Sequence, residues 1–162
     1  MERDINLSVF APVSGTIVPL CEVPDAIFAE KMLGDGLAIV PSSNIITSPV
    51  DGTVKTLHKA FHAIVIESKG VEVLTHIGVE TLCMKGEGFC VFVKPGQAVK
   101  RGDKLISFDR DLIARKAHSN HVVVIISNRP VELAKAAADP VRAGDLLFAA
   151  GVCAQDARDS KK

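Results

Sequence analysis

The sequence predicts an all-β domain, a sandwich or barrel built from two related halves with one or two short helices. Three observations carry this. Short β-branched segments alternate with Gly, Pro, Asn and Asp punctuation at close intervals. Two stretches of the chain are each echoed once further along. The core has to be aliphatic, because 48% of the 162 residues are hydrophobic while the aromatics are seven Phe with no Trp or Tyr. With 23% charged residues this is the composition of one soluble globular domain with a sizeable core.

The first echo pairs Ala11-Pro-Val-Ser-Gly-Thr-Ile-Val-Pro-Leu20 with Ser48-Pro-Val-Asp-Gly-Thr-Val-Lys-Thr-Leu57. Each Pro-x-[Ser/Asp]-Gly unit reads as a turn. An apolar strand follows each copy, over 37–40 and over 63–66. The second echo pairs Lys94-Pro-Gly-Gln-Ala-Val-Lys-Arg-Gly-Asp-Lys-Leu105 with Asp139-Pro-Val-Arg-Ala-Gly-Asp-Leu-Leu147. Its shared core is a Val, a basic residue, a further residue, and Gly-Asp before an apolar strand. Only two copies of each exist, which fits two halves of one domain better than a solenoid.

Residues 63–67 and 71–75 read as the arms of a β-hairpin. Ser68-Lys69-Gly70 is a three-residue loop that places Gly where a left-handed residue is wanted. Centred on Lys69, the pairing sets Val65 against Val73, Ile64 against Leu74 and His62 against His76. Directly opposed side chains have Cβ atoms about 4.5–5.5 Å apart. Two imidazoles that close each bring polar nitrogens that must be satisfied, so chemistry explains them better than stability.

Helices are expected over 110–117 and over 130–138, where Asn128 can cap and Ala-rich sequence favours helix. The uninterrupted run Val122-Val-Val-Ile-Ile126 reads as a strand buried on both faces. The domain is expected to span 1–150, with 151–162 as a polar tail or linker stub.

Nineteen Lys and Arg balance nineteen Asp and Glu, a formal net charge of zero that argues against a nucleic-acid partner. Cys21, Cys83, Cys90 and Cys153 show neither C-x-x-C pairing nor compact disulfide spacing, which suits a reducing cytoplasmic compartment. No signal peptide is visible at the start. The longest apolar stretches are too short to span a bilayer as a helix.

Several words are similar to the IIA domain of the glucose family of the bacterial sugar phosphotransferase system. They are Val23-Pro-Asp-Ala-Ile-Phe-Ala-Glu-Lys31, Gly34-Asp-Gly36, Pro49-Val-Asp-Gly52, His62-Ala63, Glu67-Ser68, Thr75-His-Ile-Gly78 and Leu82-Cys-Met-Lys-Gly-Glu-Gly-Phe89, continued by Gly102-Asp103 and Ile125-Ile-Ser-Asn128. The likeness runs from about residue 8 to residue 149. It implies a flattened antiparallel β-sandwich and a phosphohistidine relay that needs no cofactor and no metal. His76, in the His-Ile-Gly element, would be the phosphoacceptor. His62, in the His-Ala-Ile element, would steady the phosphoryl oxygens and help onward transfer. Phospho-HPr would be the donor and a cysteine of a IIB domain the acceptor. Regulated enzymes or permeases are further partners that some relatives have.

The residue chemistry suits such a relay. Neutral imidazole is a nucleophile near pH 7, and a second imidazole with backbone N–H groups around Gly78 can stabilise charge on the equatorial oxygens. Ile64 and Leu74 share the histidine face in the Lys69-centred pairing and are candidates for partner contact. The likeness adds Asp25 and Phe28, and Glu80 supplies an acidic rim that would steer a basic carrier. The sequence departs from the family where Ala60 replaces a common Thr, Glu80 a common Asp and His58 a common aromatic residue. The few residues before Ala11 are too short for a membrane-touching tail, so no direct membrane insertion is expected.

Two rival readings remain. A zinc hydrolase would need three or four ligands, and neither His-x-x-x-Asp nor His-x-His occurs, though adventitious zinc between His62 and His76 stays open. A biotinyl or lipoyl carrier would need a modifiable Lys at a hairpin tip, and Met84-Lys85-Gly86 is the nearest approach. His58 would bring a third imidazole to the pair if the segment before His62 curls inwards.

Overall fold

The run from Val122 to Ile126 forms the middle of the largest sheet in the computed structural model, which describes residues 5–127, 129–136 and 139–153. All five side chains are buried, because strands flank the run on both edges and other elements cover both its faces. In chain order the elements are β1 (Ile5–Phe10), β2 (Gly15–Pro19), α1 (Ala26–Ala29), β3 (Asp35–Pro41), β4 (Ile45–Thr47), β5 (Gly52–Leu57), β6 (Ala63–Ser68), β7 (Val71–Val79), β8 (Phe89–Val91), β9 (Ala98–Val99), β10 (Lys104–Phe108), α2 (Arg110–Lys116), β11 (Ser119–Ile126), β12 (Val131–Ala136) and β13 (Leu146–Val152). Short 3-10 turns occupy Leu20–Glu22 and Thr81–Met84.

The large sheet has the order β2-β3-β11-β7-β6-β5-β9, and two three-stranded sheets have the orders β1-β13-β12 and β4-β10-β8. Their strands pair antiparallel, giving the flattened β-sandwich. The period-two alternation of a strand divides the apolar residues between two cores. Val122, Val124 and Ile126 of β11 join Val73 and Ile77 of β7 in the main core, which also holds Val9, Ile106 and Phe148 of the smaller sheets. Val123 and Ile125 point the other way, into a smaller cluster with Leu20, Val23 and Phe28. The segment around α1 thus covers the outer face of the large sheet, and the histidines lie on that face.

The two halves expected from the repeats are visible in the hydrogen bonding. Ala11 N–H donates to the Asp145 carbonyl at 2.7 Å and Gly144 N–H to the Ala11 carbonyl at 2.9 Å. In the other half Ser48 N–H donates to the Asp103 carbonyl at 2.8 Å and Gly102 N–H to the Ser48 carbonyl at 3.0 Å. Each Pro-Val turn is therefore laced to one Gly-Asp turn in the same way.

Two expectations need correction. The β6–β7 hairpin pairs Ser68 with Val71, Glu67 with Glu72, Ile64 with Thr75 and Ala63 with His76. The loop has two residues, Lys69 and Gly70, at φ 53° and 78°. Positive φ at both central positions defines the type I′ turn, whose twist matches the strands. Every pairing shifts by one, and Ile64 moves to the face opposite His76. Segment 131–136 is strand β12, not helix. It pairs with β13, and that edge pairing outweighs the helical preference of alanine. Residues 137 and 138 of the expected helix, and its expected cap at 128, lie outside the described residues. The helix expected over 110–117 is α2, capped by the Asp109 carboxylate on Leu112 N–H at 3.1 Å. β13 runs two residues past position 150, with Val152 fully buried opposite Ile5 and Val131. The rest of the expected 151–162 tail, from 154 onwards, lies outside the described residues.

Candidate functional site

His76 sits late in β7, opposite Ala63 on one side and Val123 on the other. Alternation puts it on the outer face of the sheet with Leu74. His62 precedes β6 and reaches the same place by another route. Residues 58–61 form a turn in which Phe61 N–H donates to the His58 carbonyl at 2.8 Å, and Phe61 takes φ 67°. The His62 carbonyl accepts from Ile77 N–H at 2.7 Å, which ties this loop to β7 beside His76. The two rings meet edge-on, with centroids 4.9 Å apart and planes at 80°. The imidazoles thus come together although the residues are not directly opposed.

The pair extends into a row of four rings. Phe28 lies against His76 at 4.9 Å and His58 against His62 at 4.5 Å. His58 is held by a turn of its own, its Nδ1 accepting from Ala60 N–H at 3.0 Å. The inward curl that would bring His58 to the pair is therefore present.

Hydrogen bonding fixes the tautomer of His76. Its Nδ1 lies 2.9 Å from the Gly78 carbonyl oxygen. A carbonyl only accepts, so Nδ1 carries the proton and Nε2 keeps the lone pair. Gly78 is required for this geometry. It has φ 77°, and a Cβ there would lie 2.4 Å from Thr81 Cγ2 and 2.9 Å from the Ser119 carbonyl oxygen. Gly78 meets the site through this carbonyl, which orients the ring.

Burial keeps both rings neutral. His62 is pushed down to about 4, first by burial and then by the neighbouring His76 and His58, with the Ala60 carbonyl pulling the other way. Its Nδ1 is buried without a hydrogen-bond partner. His76 is also lowered, chiefly by burial, while the Gly78 carbonyl and the Asp25 carboxylate oppose the shift. Both are therefore uncharged at neutral pH, the state in which imidazole attacks an electrophile.

The remaining expected residues separate. Asp25 is half-buried and caps α1, its carboxylate accepting from Ile27 N–H at 3.0 Å. Glu80 is exposed on the rim, 4.0 Å from His118 Nδ1. Leu74 is partly buried on the histidine face. Two partner-contact expectations need correction: Ile64 is fully buried in the main core, and Phe28 is buried beneath His76 as its floor. The apolar groups that do face outwards nearby are Ile27 of α1, Phe61 beside His62, and Leu82, which lines a shallow hollow of about 230 Å³ with His58 and Ala60. Leu82 and Ile27 stand in quoted family words, but nothing in the sequence marked them as exposed.

Lys85 follows the 3-10 turn at Thr81–Met84 and is not at the tip of a hairpin, unlike the modified lysine of a carrier module. Among the described residues no group of three or more His, Cys, Asp or Glu is placed to hold a metal ion. No helix among them is long and apolar enough to cross a membrane.

Comparison with known proteins places the chain in a family and matches its fold. Residues 7–131 match the family model of the phosphoenolpyruvate-dependent sugar phosphotransferase system, EIIA 1. The chain is 49% identical over 124 residues to the PTS system glucose-specific EIIA component of Oceanobacillus iheyensis, covering 76% of this chain and 75% of that one. It is 43% identical over 129 residues to the glucose-specific EIICBA component of Staphylococcus saprophyticus, a match over 79% of this chain and 19% of the longer protein. The solved structure of glucose permease IIA from Mycoplasma capricolum superposes with a TM-score of 0.86 at 41% identity, covering 90% of this chain and 96% of that one. The chain belongs to the EIIA 1 family of the phosphoenolpyruvate-dependent sugar phosphotransferase system and is a component of its phosphoryl transfer.

Proposed function

We propose that this protein is a cytoplasmic phosphohistidine relay in which Nε2 of His76 accepts a phosphoryl group from phospho-HPr and passes it to a cysteine of a IIB domain. The hydrogen bond from His76 Nδ1–H to the Gly78 carbonyl carries the reading, because it leaves Nε2 as the free nucleophile. As Nε2 attacks, the P–N bond to the donor imidazole breaks and that ring keeps the electron pair. The His76 ring becomes cationic, and the Gly78 carbonyl stabilises the charge through Nδ1–H. The positive ring is then a good leaving group. When a thiolate attacks phosphorus, the Nε2–P electron pair returns to His76 and the starting tautomer is restored. His62, edge-on to His76, would donate an N–H to the phosphoryl oxygens once they are on His76 and so help onward transfer.

Both steps join two proteins, and the exposed Ile27, Phe61 and Leu82 around the rings supply apolar contact, with Glu80 and Asp25 as acidic steering groups. The fused EIICBA relative supports a IIB partner. The names of the relatives support glucose as the sugar of the system served. Regulated enzymes or permeases would meet this same face.

The test is incubation with phospho-HPr followed by mass spectrometry and IIB transfer. The expected result is a single acid-labile phosphate on His76, none on His76→Gln, and normal acceptance but poor onward transfer by His62→Gln. A His76→Gln variant that still takes up phosphate would remove the assignment. Unimpaired onward transfer by His62→Gln would make that ring a bystander.

A further inference from the structure

The internal repeat isolates a residue that the fold does not need. In the two Gly-Asp turns, Lys100 N–H donates to the Asp103 carboxylate at 2.9 Å and Arg142 N–H to the Asp145 carboxylate at 3.1 Å. Gly102 and Gly144 take φ 92° and 93°. The next amide along donates to a side chain of the paired turn: Arg101 N–H to Asp51 Oδ1 at 2.7 Å, and Ala143 N–H to Ser14 Oγ at 2.9 Å. The same turn therefore forms with alanine. The Arg101 guanidinium is surplus to it, and its central carbon lies over the Phe10 ring, 3.9 Å from the centroid.

That guanidinium borders an open cleft of about 500 Å³, which Lys69 of the hairpin tip and Lys100 also line. None of these three cations makes an ion pair with a carboxylate among the described residues. Asp51, the one acidic group lining the cleft among the described residues, accepts from the Arg101 amide with one oxygen. A surplus of positive charge is thus gathered in one concavity of a chain whose formal net charge is zero. Ser8 and Ser68 bring hydroxyls to the same walls.

We propose that this cleft binds a small soluble organic phosphate carrying hydroxyl groups, a phosphorylated polyol of the sugar-phosphate kind. Arg101, Lys69 and Lys100 would hold the phosphate. A guanidinium fork suits its paired oxygens, and the two ammonium groups add point charge. Ser8 and Ser68 would bond the polyol. The volume lies within the range of small-molecule sites, about 300–1,000 Å³, and far exceeds what inorganic phosphate fills. A lipid headgroup offers similar chemistry on a membrane, so the source has to be separated by experiment. The cleft is at the turn end of the β6–β7 hairpin, about 20 Å along the strand from His76 at the usual rise per residue. Its ligand would therefore leave the histidine rings uncovered, and the proposal stands apart from the relay reading.

The experiment is amide NMR of the intact chain, titrated separately with glucose 6-phosphate, inorganic phosphate and phosphatidylglycerol vesicles at matched ionic strength. Glucose 6-phosphate is expected to shift the amides of Ser8, Lys69 and Arg101 saturably, and inorganic phosphate to bind at least about tenfold more weakly. Arg101→Ala is expected to lose about tenfold in affinity while the melting temperature falls by no more than about 4 °C, as Ala143 makes the same turn and only the Phe10 contact is lost. Lys69→Asn, which keeps the I′ turn because Asn accepts positive φ, is expected to weaken binding as well. Absence of saturation, equal binding of inorganic phosphate, shifts with vesicles alone, or unchanged affinity in both variants would each overturn the proposal.

Discussion

The Nδ1–H of His76 donates to the Gly78 carbonyl oxygen two residues along the same strand, at 2.9 Å. The bond depends on a backbone that only glycine adopts easily. Gly78 breaks the regular pleat with its positive φ and lies closely packed against Thr81 and Ser119. Ring orientation, tautomer and local fold are thereby tied to a single position.

Gly78→Ala is expected to be costly on both counts. The left-handed backbone costs a β-carbon about 1–2 kcal/mol, and overpacking against Thr81 and the Ser119 carbonyl adds about 1–3 kcal/mol. Urea denaturation should show a loss of about 2–5 kcal/mol, with slower phosphoryl uptake by the folded fraction. An unchanged midpoint would contradict the packing account.

Stability should fall as pH falls below the ordinary histidine range. His62 is held at about 4 against an ordinary value of 6.5. The unfolded chain therefore takes up this proton from about pH 6.5 downwards, and the native state only near pH 4. The stability linked to neutral His62 is whole above pH 6.5 and is lost progressively towards pH 4. Between pH 7.5 and 5 this ring alone should remove about 2 kcal/mol, and His76 and His121 act in the same direction. Urea midpoints across this range check it, with His62→Gln flattening the curve. A variant as pH-sensitive as the parent protein would show that other groups set the dependence.

The outward-facing apolar groups should matter to transfer and not to folding. Leu82 is 57% exposed and Ile27 45% exposed. Leu82→Ser and Ile27→Ser are expected to change unfolding free energy by no more than about 0.5 kcal/mol. The KM for the phosphorylated donor should rise about tenfold, as for loss of a contact at an interface. Steady-state transfer assays check this. An unchanged KM in both variants would place the docking surface elsewhere.

Much of this architecture is legible in the sequence. The repeats mark the two halves, and the run at Val122–Ile126 marks the centre of the large sheet. The histidine pair is legible as a pair, but the way it is built is not. Lysine gives no cue that it will take the first left-handed position of a two-residue turn, so Lys69 conceals the register, and with it the side of the sheet on which Ile64 falls. His62 escapes the consequence because it belongs to the preceding loop, where Phe61 also takes an unfavoured backbone. Segment 131–136 misleads for a different reason. Alanine has a strong local preference for helix, and only pairing with β13, the next strand of the chain, overrides it. The short helix at Ala26–Ala29 escapes notice because four residues carry no periodicity, although Asp25 is a good cap. Burial of Phe28 depends on where this helix docks, which periodicity does not report.

The central claim is that the Gly78 carbonyl holds the proton of His76 on Nδ1 and leaves Nε2 to take the phosphoryl group. Long-range proton–nitrogen NMR of the imidazole, recorded before and after reaction with phospho-HPr, tests it most directly. The account predicts a neutral Nδ1–H tautomer before reaction and phosphorus coupled to Nε2 afterwards. Phosphorus coupled to Nδ1, or a free ring protonated at Nε2, would contradict it.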